Sequence, residues 1–282
     1  MAGFDQAVQA LAARATRPLA HLPAFHALPE HPPGPVVAVD GSHAVLVDNG
    51  ATWVVAHRAS ALAWPGPAHP VPPSITAATP EQAAGLVGRP VPSAEAFAAA
   101  LREQAETRAL RAAIEAAPPG ALVLADGALH GLVADAQQTA DVLRQLAHRR
   151  GVRLVAIAKR SGLERDGVPL VAALHAQGPA GRWATMVGDG VFVARLHPAA
   201  PCAFRVDAPT LEDVARLTGY ARDAAYVGYP YPLAKVHNQV AFTAGAIAEL
   251  QAGLERALRR AGPAAVRAVA DFHETLDRNV AG

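Results

Sequence analysis

Apolar runs that end at an acidic residue organise this sequence. Residues 36–39 are apolar and lead directly into Asp40, and residues 121–125 lead in the same way into Asp126. Aspartate is a poor strand former and is costly to bury, although a single Asp-Gly pair can also be a turn whose aspartate bonds its own backbone. Because the pattern occurs twice, we expect two strands to bring two carboxylates to one edge of a sheet.

The spacing of the apolar positions predicts the other elements. Asp48-Asn49-Gly50 is a strong hairpin signal between two apolar runs, and Ser93 is a suitable N-cap for the long helix that follows it. The predicted strands are 36–40, a second apolar run over 43–47, and then 52–56, 121–126, 152–158, 191–196 and 203–207. The predicted helices are 2–16, 94–117, 138–150, 211–225, a long helix that starts within 228–237 and reaches about 261, and 263–278.

This order of elements predicts an α/β fold with an RNase H-like core, in which a mixed sheet with flanking helices carries helical N- and C-terminal additions. We expect residues 1–34 to be an N-terminal helix and a connection, and residues 35–282 to form one further domain. Within that domain, residues 64–92 hold eight prolines and are predicted to be an irregular insertion. Outside the hairpin of 191–207, residues 160–208 are predicted to be loops.

Composition narrows the class of protein. Hydrophobic residues make up 51% of the chain, charged residues 17%, and the net charge is +1, so the chain is globular and has no global basic field for nucleic acid. Cys202 is the only cysteine, which excludes an intramolecular disulfide and fits a reducing compartment. We see neither an export signal nor an apolar run of about 18 residues, and we expect a cytoplasmic protein with no membrane partner.

Carboxylates at strand ends suit phosphodiester hydrolysis by two divalent ions about 3.5–4 Å apart. Oxygen ligands select Mg²⁺ or Mn²⁺, and an added imidazole favours Mn²⁺. His237 is expected in the first turn of the late helix, where it could also be satisfied locally. Glu103 and Glu106 share one face of the helix over 94–117, where a glutamate beside an apolar stripe is usually a rim residue.

The chain contains two lysines, Lys159 and Lys235, among 25 basic residues. A compact ammonium meets a phosphate or a carboxylate differently from a planar guanidinium. Either lysine could therefore be present because its ammonium has a chemical role, or could be present by chance. Lys159 directly follows the strand over 152–158 and is the third polar group at the end of an apolar strand.

Four short motifs together resemble the NurA nuclease family. They are Val-Asp-Gly-Ser at 39–42, Ala-Asp-Gly-Ala-Leu at 125–129, Ala-Ile-Ala-Lys-Arg-Ser at 156–161 and Gly-Tyr-Pro-Tyr-Pro-Leu-Ala-Lys-Val-His at 228–237. The resemblance covers residues 36 to about 261, and it implies that residues 35–282 are a NurA-type nuclease domain. It further implies a homodimeric deoxyribonuclease that uses two Mn²⁺ ions, with Mg²⁺ as the alternative metal.

The activity implied by the resemblance is that of a single-stranded endonuclease and 5′–3′ exonuclease. Its implied partners are DNA, either single-stranded or at duplex ends, and a hexameric HerA-type ATPase. The implied role is the resection of double-strand-break ends in DNA repair by homologous recombination.

Site residues can be carried over by position in the motifs. Asp40, Asp126 and His237 match metal-binding residues of the family. Glu106 is our choice for the metal-binding acidic residue of the helix before the second aspartate, and Glu103 is the alternative because no sharp motif surrounds either.

Two polar positions of the motifs complete the implied site. Lys159 and Tyr229 match positions where contact with phosphate or orientation of water are plausible roles. Ala128 stands where the family pattern Asp-Gly-Ser-Leu has serine. This departure removes one hydroxyl near the site but no metal ligand.

Two other functions remain open on the sequence. A catalytically silent adaptor could dimerise on an ATPase ring and only guide DNA, and it would not need the set of acidic residues. A phosphotransferase of the related actin-like fold would need Asp-x-Gly phosphate loops and a Gly-rich adenosine segment, and the sequence shows neither. A metal-dependent nuclease assay distinguishes all three.

Overall fold

The computed structural model describes residues 2–129 and 134–270 and confirms the α/β fold. Its strands are β1 (His26–Ala27), β2 (Val36–Asp48), β3 (Trp53–Trp64), β4 (Ser74–Ala78), β5 (Leu122–Asp126), β6 (Arg153–Ala158), β7 (Glu164–Arg165), β8 (Val168–Pro169), β9 (Trp183–Gly188), β10 (Val191–Arg195) and β11 (Phe204–Asp207). Its helices are α1 (Ala2–Thr16), α2 (Pro80–Val87), α3 (Ala94–Ala116), α4 (Ala134–Arg150), α5 (Leu170–Gln177), α6 (Leu211–Arg216), α7 (Tyr231–Val240), α8 (Ala244–Ala261) and α9 (Pro263–Val269), with a 3₁₀ helix at Leu217–Tyr220.

One mixed sheet has the strand order β1-β9-β10-β11-β6-β5-β2-β3-β4, and β7 and β8 pair separately. From the β4 end, three consecutive strands are followed by β5 and β6, which run parallel to β2. This is the RNase H-like arrangement that the sequence predicts. Strands β11, β10, β9 and β1 extend the sheet in antiparallel fashion beyond β6.

The chain divides into two compact units. The first is formed by the described residues of Met1–Val39, Ala61–Ala68 and Leu110–Val236. Residues 122–125 of β5 are all buried, as expected for a parallel strand that is covered on both faces. The largest hydrophobic cluster of this unit includes Leu124 of β5 and Ile157 of β6.

The second unit is formed by the described residues of Asp40–Ser60, His69–Ala109 and His237–Gly282. Strand β3 places alternate side chains on two faces. On one face, its Trp53 and Val55 pack with Phe97 of α3. On the other face, Val54 and Ala56 pack with Leu46, with Phe242 between α7 and α8, and with Ile247, Leu250 and Leu254 of α8.

Residues 64–92 are more regular than predicted. They contain β4, which pairs antiparallel with β3, and the helix α2. Thr79 begins α2 with a capping box, in which its side chain accepts from Gln82 N and the Gln82 side chain accepts from Thr79 N. Pro80 is at the start of the helix, where a proline needs no hydrogen-bond partner for its nitrogen. The prolines therefore mark the boundaries of elements here.

Several predicted bounds in the second half of the chain were wrong. Residues 160–208 contain α5 and β9 in addition to the predicted hairpin. The helix expected over 211–225 ends at Arg216 and continues only as the short 3₁₀ helix. The long helix expected to reach about 261 is interrupted at 241–243, where Thr243 caps α8.

The chain ends agree with the expected helical additions. Helix α1 spans the predicted range, and α9 covers Pro263–Val269 of the predicted 263–278. The rest of that prediction lies outside the described residues. Among the helices of the described ranges, none has both the length and the apolar character needed to cross a membrane. The predicted boundary between 34 and 35 stays a prediction.

Candidate metal centre

Strand register places the two aspartates at one level of the sheet. β2 and β5 run parallel, and Val39 pairs with Ala125 at the end of their ladder. Asp40 and Asp126 directly follow Val39 and Ala125 in the sequence. Each aspartate therefore comes one residue after a matched pair, on strands that run in the same direction. Asp126 ends β5, as predicted, whereas Asp40 lies within β2, which continues to Asp48.

Asp40 is 3% exposed and has fixed partners on both carboxylate oxygens. Its Oδ1 accepts from the backbone N–H of Gly41 at 2.7 Å, and its Oδ2 lies 2.8 Å from Nδ1 of His237. The tautomer of the imidazole decides which atom donates in the second contact. A buried carboxylate needs such partners because its desolvation is costly.

The prediction that His237 lies in the first turn of its helix is wrong. The residue is in the last turn of α7. The reason is the start of α7, which begins at Tyr231, before Pro232. The first turn of a helix tolerates proline because its N–H groups have no intrahelical acceptor. The Pro-rich motif is therefore largely inside the helix, and His237 is its seventh residue.

Asp126 has a different environment. Its Oδ2 accepts a hydrogen bond from Nζ of Lys159 at 2.7 Å, and this ammonium lies 5.3 Å from the centroid of the Tyr229 ring. The side chains of Asp126 and Lys159 are 17% and 38% exposed, so the pair is accessible to a ligand from solvent. Of the two polar motif positions, Lys159 thus contacts Asp126 directly, and Tyr229 lies next to Lys159.

Asp40, Asp126 and His237 form a group that could hold a metal ion. Each offers one ligand atom, and these three atoms lie within 4.8 Å of one another. Two carboxylate oxygens and one imidazole nitrogen are a donor set that fits a divalent ion such as Mn²⁺ or Mg²⁺. The buried carboxylate of Asp40, held by Gly41, supplies a ligand whose orientation is fixed before an ion arrives.

Glu106 is not part of this group, but the structure places it nearby. A Cβ built on Gly41 would lie 2.7 Å from Cγ and 2.8 Å from Oε1 of Glu106. A side chain at position 41 would therefore force Glu106 to move from its place next to Gly41. Its side chain is 15% exposed and pairs with Arg102 at 2.6 Å, whereas Glu103 is 49% exposed and pairs with Arg89. Their roles stay predictions.

The sequence analysis missed a buried cluster that holds the loop after Asp126. Asp207 accepts from the backbone N–H of Leu129 at 2.6 Å and pairs with Arg205. Arg144 donates to the carbonyl of Leu129. The signal in the sequence was weak, since Arg205 and Asp207 are alternate residues of a short strand. Lys235, the other lysine, donates to the carbonyl of Gly66 at 2.7 Å.

Comparisons with known proteins agree with this fold. No protein-family model matches the chain, and no curated protein matches it by sequence. Among solved structures, the NurA nuclease from Sulfolobus solfataricus matches with a TM-score of 0.59 and 17% identity, over 91% of this chain and 94% of that one. Another NurA structure matches with a TM-score of 0.60 and 11% identity, over 92% of this chain and 98% of that one. NurA bound to dAMP and manganese matches with a TM-score of 0.51 and 11% identity, over 78% of this chain and 87% of that one.

These likenesses show the fold. The chain has a NurA-like fold over almost its whole length. The resemblance seen in the four motifs is therefore confirmed for the fold.

Proposed function

We propose that this protein is a metal-dependent DNA nuclease. The observation that carries the proposal is the convergence of Asp40, Asp126 and His237, whose ligand atoms lie within 4.8 Å of one another, in a chain with a NurA-like fold. The presence of manganese and dAMP in one NurA structure supports both the ion and the nucleotide substrate class. On this basis the preferred ion is Mn²⁺, with Mg²⁺ as the alternative.

In this proposal, Asp40, Asp126 and His237 hold the ion, and Glu106 is the further carboxylate available for a second one. A bound divalent ion would lower the pKa of a coordinated water and stabilise the charge on the leaving oxygen. Asp40 and His237 enter the site already oriented by their hydrogen bond. The metal-binding groups must be deprotonated to act as ligands.

Lys159 has the role of a positioned cation. Its ammonium is accessible, bonded to Asp126 and supported by the Tyr229 ring. A phosphate that approaches the two carboxylates meets their negative charge, and one nearby cation reduces this repulsion. Lys159 therefore contacts a nonbridging phosphate oxygen in the proposed complex. The ring of Tyr229 limits the positions that the ammonium of Lys159 can adopt.

The first prediction tests the metal ligands. Asp40→Asn and Asp126→Asn each remove one anionic ligand with little change in shape, so we expect Mn²⁺-dependent cleavage of single-stranded DNA to fall below detection. The fold should persist, because loss of one carboxylate from an acidic group relieves repulsion. The measurement is single-turnover cleavage, with circular dichroism to monitor folding.

Asp48→Asn is the matched control, since Asp48 is an exposed aspartate at the end of the same strand. It should cleave like the unaltered protein. Full Mn²⁺-dependent activity in either of the other two variants contradicts the assignment. Retained DNA binding without any cleavage by the unaltered protein would instead favour the silent adaptor.

The finer activity follows the resemblance of the motifs. We infer single-stranded endonuclease and 5′–3′ exonuclease activities, a homodimer, and cooperation with a hexameric HerA-type ATPase in the resection of DNA double-strand breaks. The net charge of only +1 supports the proposal of a motor partner. A protein that attracts DNA phosphates weakly binds duplex DNA poorly by itself.

A further inference from the structure

Arg58 makes an unusual set of contacts for a strand residue. Its Nε donates to the carbonyl of Val240 and its Nη2 to that of Ala241, both at 2.7 Å. Its Nη1 donates to the carbonyl of Val71 at 2.9 Å. The guanidinium also lies 4.4 Å from the centroid of the Phe242 ring. One side chain thus binds three main-chain carbonyls and an aromatic face.

Two of these carbonyls are at the end of α7. The last carbonyls of an α-helix have no intrahelical donor and must be satisfied by other groups. Helix α7 ends without a glycine, and α8 begins within four residues of its end. The positive guanidinium supplies the missing donors, and its charge is favourable at the negative end of the helix dipole.

The same helix end supports His237. The backbone N–H of Ala241 donates to the carbonyl of His237 at 2.8 Å, and Ala241 is one of the residues that Arg58 holds. The backbone carbonyl of Arg58 lies 3.1 Å from a Cβ built on Gly41, the residue after Asp40. Arg58 therefore connects the helix turn that carries His237 to the backbone beside Asp40.

We propose that Arg58 is a positioning residue that fixes His237 relative to Asp40 and so sets the affinity of the site for the metal ion. This inference rests on the proposed function, since it concerns the same metal site. Lysine cannot replace Arg58, because a single ammonium cannot reach three carbonyls with the fixed fork of a guanidinium.

The test is Mn²⁺ binding to the full chain, followed by the electron paramagnetic resonance signal of free Mn²⁺. Arg58→Lys and Arg58→Gln should raise the Kd for Mn²⁺ about tenfold, as expected when a group that orients a metal ligand is lost. In the cleavage assay, the Mn²⁺ concentration for half-maximal rate should rise equally. The rate at saturating Mn²⁺ should recover most of its value, because no reacting group has been removed.

Phe97→Leu is the matched control. Phe97 is fully buried in the second unit against Trp53, so this variant lowers stability without touching α7. It should leave the Kd for Mn²⁺ unchanged. If the control weakens Mn²⁺ binding as much as the Arg58 variants do, the role of Arg58 is only structural and the inference is overturned.

Two further outcomes separate this inference from the proposed function. An unchanged Kd in folded Arg58→Lys overturns the positioning role and leaves the metal site intact. A failure of the unaltered protein to bind Mn²⁺ overturns both. Arg58→Lys keeps the charge and much of the volume, so it provides the decisive comparison if Arg58→Gln does not fold.

Discussion

His57 is a buried histidine whose environment disfavours its charged form. Within the described residues, its Nδ1 has no hydrogen-bond partner. Burial, and secondarily the positive charge of Arg108, lower the pKa of His57 below its ordinary value of 6.5. The native protein therefore holds this side chain neutral, whereas the unfolded chain takes up a proton below about pH 6.5.

The sign of the resulting pH dependence follows from linkage. Since the unfolded state binds more protons, the free energy of unfolding should fall as the pH decreases below about 6.5. His57→Gln should flatten this dependence between about pH 7 and pH 5 when unfolding is measured with urea. His69→Gln, at an exposed position, should not. An equally steep dependence in His57→Gln would show that other groups cause it.

At the level of single residues, the sequence allowed only part of the site to be predicted. Asp40 and Asp126 were predictable because an acidic residue after an apolar run breaks the strand pattern. Glu106 could not be distinguished from Glu103, since helical spacing places both beside the same stripe. Two of the three carbonyls that Arg58 binds are more than 180 residues away in the sequence, and no local pattern indicates them.

A threonine cap begins α8 directly after the break between α7 and α8. Thr243 precedes α8, and its side chain accepts from the backbone N–H of Ala246 at 3.2 Å. Thr243→Ala removes this acceptor and should lower the free energy of unfolding by about 1 kcal/mol. The measurement is urea unfolding at constant pH.

Thr243→Ser is the control for this prediction, since serine retains the hydroxyl and caps helices as well as threonine does. It should unfold close to the unaltered protein. Equal stability of the alanine and serine variants would mean that the apolar contacts of Ile247 and Leu250 hold the start of α8 without the cap.

At the level of elements, strong periodic patterns were reliable and short ones were not. The long helix α3 followed from its composition and the N-cap at Ser93, and the central strands followed from their apolar runs. The elements β4 and α2 were missed because eight prolines over 64–92 outweighed the capping box at Thr79. The break at 241–243 was missed because alanine-rich sequence favours a continuous helix, and tertiary contacts of Arg58 with Val240 and Ala241 stabilise the interruption.

For the whole molecule, the low net charge leads to a prediction about DNA. A net charge of +1 gives little long-range attraction for phosphate, so the protein alone should bind and degrade long duplex DNA poorly at physiological salt. A HerA-type ATPase with ATP should increase the rate strongly by feeding strands to the site. The measurement is degradation of long linear duplex with and without the ATPase and ATP.

Asp126→Asn with the ATPase and ATP controls for any nuclease in the ATPase preparation and should show no degradation. If the protein alone degrades the duplex as fast as the pair does, the motor-fed mechanism is wrong. The homodimer is tested separately by the mass of the protein in solution.

The register of β2 against β5 also constrains how the gene can change. Successive side chains of a strand point to opposite faces, so a deletion of one codon between Val36 and Val39 would turn Asp40 away from its present partners. An exchange of one apolar residue for another in the same run changes only packing. Homologous genes should therefore differ freely in the identity of these apolar residues, while their alignment gaps fall outside the two short runs that precede Asp40 and Asp126.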